Sequence, residues 1–183
     1  LPAALRAQEI LDALDARKDV DGMTTRSLGA LVTGAAGFAP CTAEACMTLL
    51  RAHGIDPAGR RVTVVGRSLV IGRPAALLLT RADATVTLCH RKTPDLAARC
   101  RAADILLAAA GAPGLITPKC VRPGQIVLDA GATALPDGTL RGDVTPAAAA
   151  IAACTPVPGG IGSVTTALLL RHTEQAAKKS HHF

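Results

Sequence analysis

The chain has 183 residues, 49% of them apolar, and a formal charge of +6 from 20 Lys and Arg against 14 Asp and Glu. This length suits one ordinary domain, or one domain with part of another, and the apolar content belongs to a folded globule rather than a disordered chain. With two Phe and neither Tyr nor Trp, no mechanism that needs a tyrosine can come from these residues, and stacking of nucleic-acid bases on aromatic side chains is nearly excluded. The basic residues are scattered apart from the tail "KKSHHF", so the charge reads as solubility and no nucleic-acid partner is expected. That tail reads as a frayed terminus rather than a metal site. No apolar run reaches the roughly 20 residues that span a bilayer, so no membrane partner is expected. Cys41, Cys46, Cys89, Cys100, Cys120 and Cys154 form no C-x-x-C pair. They read as free, buried thiols of a cytoplasmic protein.

The segment "LPAALRAQEILDAL" spaces its apolar residues for a helix from residue 2 or 3 to 14. It starts with Leu, not Met, and reads as the middle of a longer chain. "DARKDVDG" is a polar turn, and its two acids at 19 and 21 have the composition of a solvated loop. "SLGALVTG" is a short helical or irregular stretch. In "PCTAEACMTLLRAHG" Thr42 is the expected N-cap, with Gly54 closing the helix. From residue 60 the texture changes. The strands "RRVTVVG", "ATVTLCH", "DILLAAAG" and "QIVLDAG" alternate with the helices "PAALLLTRA", "PDLAARCRA" and "PAAAAIAA", and "SVTTALLLRHTEQAAKK" closes the chain as a long helix. This alternation predicts an α/β fold, a Rossmann-like doubly wound parallel sheet flanked by helices, with ligands bound at the carboxyl ends of the strands.

The stretch Gly66-Arg67-Ser68-Leu69-Val70-Ile71-Gly72-Arg73-Pro74 joins the first strand to a helix. Gly66 can take the positive φ of a tight turn, and Gly72 lets helix and sheet, or a ligand, come close. Pro74 suits the first helical turn, where its missing N–H leaves no partner wanting. Free N–H groups there point toward an anion, and Ser68 adds a hydroxyl. A phosphate cradle and a plain strand–helix connection both satisfy this pattern. At the end of the second strand, where NAD-binding folds carry an acid about 20 residues after the glycines, this chain reads "CHRKT". With Arg91 there and Arg67 in the first turn, the corner suits a 2′-phosphate, hence NADP rather than NAD; a solvated basic loop is the alternative. "DAGA" at 129–132 lies at the ligand edge of the sheet. "TPVPGGIGSVTT" is a rigid, glycine-bearing loop on which a flat ligand could lie, or simply a tight connection.

Taken together, these phrases resemble the bifunctional methylenetetrahydrofolate dehydrogenase/cyclohydrolase family. "DVDG" at 19–22, "PCT" at 40–42, "GRSLVIGRP" at 66–74, "TVTLCHRKT" at 85–93, "ADIL" at 103–106, "DAG" at 129–131, "GDV" at 142–144 and "TPVPGGIGSVT" at 155–165 occur in the family's order. The resemblance implies that Gly66, Arg67 and Ser68 hold NADP, that Arg91 lies near the 2′-phosphate, and that Ala132 touches the cofactor through its backbone. It implies that Asp21 bonds the pterin of the folate substrate as the catalytic-side contact, and that Pro158, Gly159, Gly160 and Ile161 line the folate cleft. It divides the chain into a remnant and linker of a preceding α/β domain (1–39), an NADP-binding domain (40–160) and a C-terminal helix returning to the inter-domain cleft (161–183). A homodimer is the expected assembly.

The departures are "PGGIGSVT" for the family's P-G-G-V-G-P-M-T, "DAGATALPDG" for D-V-G-I-N, and the lack of its Y-x-x-x-K motif, whose lysine is the central catalytic group. The opening "LP" resembles the end of the family's Q-L-P-L-P phrase. The isolated chain is therefore expected to bind NADP and to turn over folate poorly or not at all. Two other readings fit the residues: a non-catalytic NADP-binding module, and an unrelated NADP oxidoreductase of the same fold.

Overall fold

The structure, a computed structural model, describes residues 7–180. The amino end of the expected first helix and the last three residues of the tail lie outside the described residues. Three helices come first: α1 (Ala7–Asp12), α2 (Thr25–Thr33) and α3 (Cys41–Ala52). Thr24 caps α2 by accepting the Ser27 N–H, and Gly34 closes it in the left-handed conformation. Thr42 does not cap α3. The helix begins one residue earlier, at Cys41, and the Cys41 N–H donates to Asp21 Oδ1 at 3.0 Å, so its cap comes from a turn twenty residues back. That turn is only partly solvated. Asp21 is exposed, but Asp19 is buried and accepts the N–H groups of Met23 (2.9 Å) and Thr24 (2.8 Å).

Next come β1 (Arg61–Val65), α4 (Gly72–Arg81), β2 (Thr85–Cys89), α5 (Leu96–Ala102), β3 (Ile105–Ala108) and β4 (Ile126–Asp129). A two-residue hairpin follows, β5 (Thr133–Ala134) against β6 (Leu140–Arg141), which the sequence pattern did not announce. α6 (Pro146–Ala149), β7 (Ala153–Cys154) and α7 (Ile161–Ser180) complete the chain. Five strands form one parallel sheet in the order β2-β1-β3-β4-β7. The chain passes from β2 on one side of β1 to β3 on the other, so its connections diverge above β1 and β3, where such sheets open a crevice.

Alternation along the strands builds two cores. Val62, Val64, Ile105, Leu107 and Leu128 pack with α3, α4 and α7, while Val65, Leu106, Ala108 and Val127 face α5 and α6 on the opposite side. Burial on both faces explains why the strands read as continuous apolar runs. The six cysteines are free, five of them buried, and no described helix is long and apolar enough to cross a membrane.

At the amino ends of the strands, Asp104 Oδ1 accepts from Arg61 (2.9 Å) and Arg122 (3.1 Å). The Arg61 hydrogen bonds, first of all that of its side chain, hold the Asp104 carboxyl down at about 2. A carboxylate whose folded pKa lies below its unfolded value stabilises the fold above that unfolded value and loses the contribution as pH falls toward the folded one. The site is partly exposed, so the effect is screened and modest. Asp104→Asn is expected to flatten the acid limb of stability between about pH 4 and pH 2, read as a urea midpoint that falls less steeply with acid than in the parent.

Candidate functional site

The turn after β1 is fixed by backbone contact. The Gly66 N–H donates to the Cys89 carbonyl at 2.9 Å, which brings the ends of β1 and β2 into one corner. Gly66 has φ +120°, and a Cβ there would collide with the Ala109 carbonyl at the end of β3; a Cβ on Gly72 would collide with the Gly66 carbonyl. Gly72 therefore serves close packing of α4 on the turn itself. Ser68 Oγ accepts the Ile71 N–H at 3.1 Å and the Ser68 carbonyl accepts from Arg73 at 3.0 Å, leaving the Ser68 hydroxyl proton free to donate outward. Arg67 and Arg91 are both exposed, and neither has a hydrogen bond or ion pair among the described residues. The corner presents two unneutralised guanidinium groups beside the start of α4.

Further along the same edge, two buried aspartates organise the loops. Asp129, the last residue of β4, accepts N–H groups from Gly131 and Asp143 on Oδ1 and from Val144 on Oδ2, each at 3.0 Å. Burial pushes its carboxyl up; these three N–H groups oppose the shift, and the Asp143 charge adds to it. Asp143 in turn accepts from Ala110 (2.6 Å) and Gly111 (3.1 Å) on Oδ2 and from Ala112 (2.7 Å) on Oδ1. One fully buried carboxylate thus clasps the whole loop that leaves β3.

A cavity of about 440 Å³ opens beside this network. Ala132, Pro158, Gly159, Gly160 and Ile161 line it, with Ile71 from the first turn forming another wall. The Val157–Pro158 peptide bond is cis. The fold thus gathers five of the residues picked from the sequence around one cavity. Gly66, Arg67, Ser68 and Arg91 occupy the neighbouring corner of the edge. Asp21 is outside the cavity, but it caps the helix whose next residue, Thr42, lines the wall. Sequence reasoning assigned no role to Asp129 and Asp143. Their signal was the pairing of each with a glycine, in "DAG" and "GDV", where backbones must approach a carboxylate closely.

The family model for the tetrahydrofolate dehydrogenase/cyclohydrolase NAD(P)-binding domain matches residues 40–181. The chain belongs to this family. Among similar proteins, the bifunctional protein FolD 1 of Rhodococcus jostii is 54% identical over 97% of this chain, which spans 60% of that relative. The crystal structure of the bifunctional FolD methylenetetrahydrofolate dehydrogenase/cyclohydrolase of Campylobacter jejuni superposes with a TM-score of 0.93 at 40% identity, over 98% of this chain and 65% of the other. The Trypanosoma brucei enzyme, solved with NADP and an inhibitor, superposes with a TM-score of 0.92 at 39% identity, over 100% of this chain and 66% of the other. Membership removes the reading of an unrelated oxidoreductase that shares only the fold.

In this chain, Asp143→Asn replaces a carboxylate that accepts three N–H groups with an amide that can accept on one oxygen only. The expected cost is about 2 kcal/mol or more of unfolding free energy, measured by urea denaturation, with faster amide exchange at Ala110, Gly111 and Ala112.

Proposed function

We propose that the chain is the cofactor-binding part of an NADP-dependent enzyme of one-carbon metabolism. The reaction is oxidation of 5,10-methylenetetrahydrofolate to 5,10-methenyltetrahydrofolate, then hydrolysis to 10-formyltetrahydrofolate, a donor for purine biosynthesis. The observation that carries this reading is the corner where Arg67 and Arg91 stand unpaired beside a turn closed by Gly66 and Gly72, with no acid at the end of β2. These residues fit NADP: backbone contact that only glycine allows at 66 and 72 fixes the turn, and two free cations suit a 2′-phosphate. The NADP bound to the Trypanosoma brucei relative supports the same ligand.

When bound, NADP supplies the hydride acceptor. Gly66, Arg67 and Ser68 would hold its phosphates, with the Ser68 hydroxyl donating. Arg91 would meet the 2′-phosphate. Ala132 and the Pro158–Ile161 ledge would seat a flat ring on bare backbone and exclude water from it, removing much of the entropic barrier to ring-on-ring transfer. Asp21 Oδ1 is engaged with Cys41, and the exposed carboxylate would meet the pterin. Proton transfer in the hydrolytic step needs a group of tuned pKa, and the family's Y-x-x-x-K lysine has no counterpart among these residues. That lack favours a second reading for the chain by itself, a non-catalytic NADP-binding module. Within the first reading, residues 1–39 belong to the folate-side domain, 40–160 to the cofactor domain, and 161–183 to a helix returning toward the cleft. We also propose a cytoplasmic homodimer. The open edge of β2, with Leu88, Thr85 and Thr87 exposed, supports self-association.

Calorimetry is expected to show tighter binding of NADP than of NAD. Arg91→Ser should weaken NADP about tenfold or more while leaving NAD affinity unchanged; equal affinity for the two dinucleotides would overturn the assignment. The 183-residue chain assayed alone is expected to bind NADP without measurable cyclohydrolase turnover, and robust turnover would show that a proton-transfer group lies within it.

A further inference from the structure

His172 lies on α7, outside every family motif matched above, and is 3% exposed. Its Nδ1 donates to the Val20 carbonyl at 2.9 Å. Its Nε2 stands 3.2 Å from Glu44 Oε2, on the first turn of α3. Both ring nitrogens thus face oxygen acceptors, one on the acidic turn and one on the helix which that turn caps. The ring stacks on Phe38 at a centroid distance of 4.5 Å and an interplanar angle of 25°. Cys41 Sγ lies 3.5 Å from Nδ1, and Arg171 holds the other Glu44 oxygen at 2.6 Å. The buried imidazole, hydrogen-bonded at Nδ1 and within ion-pair distance of Glu44 at Nε2, is a strut that ties the acidic turn and α3 to α7.

What the strut fixes is the residue next to Val20. Asp21 gives one oxygen to the Cys41 N–H, and the backbone on its other side is held by close packing: a Cβ on Gly22 would collide with the Phe38 carbonyl. Without His172, the Val20 carbonyl loses its link to α7 and keeps the weaker one from the Cys41 thiol at 3.6 Å. We propose that His172 is a positioning residue for Asp21, setting the folate-facing carboxylate against the cofactor-binding sheet through Val20 and Glu44. The inference rests on the reading of Asp21 as the pterin contact and deepens it. It assigns a positioning role to a side chain outside the lining of the ligand cavity.

The test uses the native protein carrying His172→Leu, His172→Gln and Asp21→Asn, singly and combined. Loss of binding that is uniform in ground and transition states appears in KM alone. His172→Leu is expected to raise the folate KM about tenfold with kcat and the Kd for NADP little changed. His172→Gln, which keeps a donor, should recover part of the loss. Adding His172→Leu to Asp21→Asn should cost little more than Asp21→Asn alone, because both act through one carboxylate. Additive effects, or an equal loss of NADP affinity, would overturn the proposal by showing a general structural role. An unchanged folate KM in Asp21→Asn would overturn the pterin reading and this inference with it. Amide exchange at Cys41 separates the two failures: faster exchange in His172→Leu means that the strut exists and the substrate assignment was at fault, and unchanged exchange means that the strut itself is wrong.

Discussion

Two buried carboxylates at the carboxyl edge of the sheet tie together the loops after β3 and β4 beside the cavity. Asp129 ties the end of β4 to the returning 142–144 segment, and Asp143 ties that segment to the loop after β3. Both charges lie away from water, where an unpaired carboxylate would be costly. Six backbone N–H groups therefore converge on them, three apiece. The loops cannot drift separately, since moving one would strand a buried charge. The cavity beside them takes one wall, residues 129–132, from this network.

The sheet itself supplies a second constraint. Its order places the turn after β1 against the end of β3 so closely that only glycine fits at 66, and α4 presses on the same turn through Gly72. Backbone-on-backbone contact fixes the turn without any side chain, which leaves Arg67 and Ser68 free to point outward. Rigidity below and free donors above are the arrangement expected of an anion site that is organised before its ligand arrives.

Much of this was legible in the residues. The β-branched and leucine-rich runs marked each central strand, because burial on both faces demands them, and the glycine spacing marked the turn. Other features had no local signature. The β5–β6 hairpin is two residues a side, too short for periodicity to register. Thr42 has the right chemistry for a cap, yet Asp21 takes the position from a distance because the preceding turn folds back onto α3. His172 sits on an otherwise ordinary closing helix, and only the tertiary fold brings it to Val20 and Glu44. Asp143 had no local signal beyond its neighbouring glycine; its partners lie more than thirty residues away.

The cysteines bear on how the molecule comes apart. Burial pushes the Cys46 thiol to about 12 in the core beneath α3, and the Cys100 thiol to about 12 in the core on the opposite face. Only a thiolate attacks an alkylating reagent, so each sulfur stays silent until its own side of the sheet exposes it to solvent. The chain carries an internal chemical clock for each layer. Matching labelling rates at the two sulfurs would mark one cooperative opening, and differing rates would mark a sheet that sheds one coat of helices before the other.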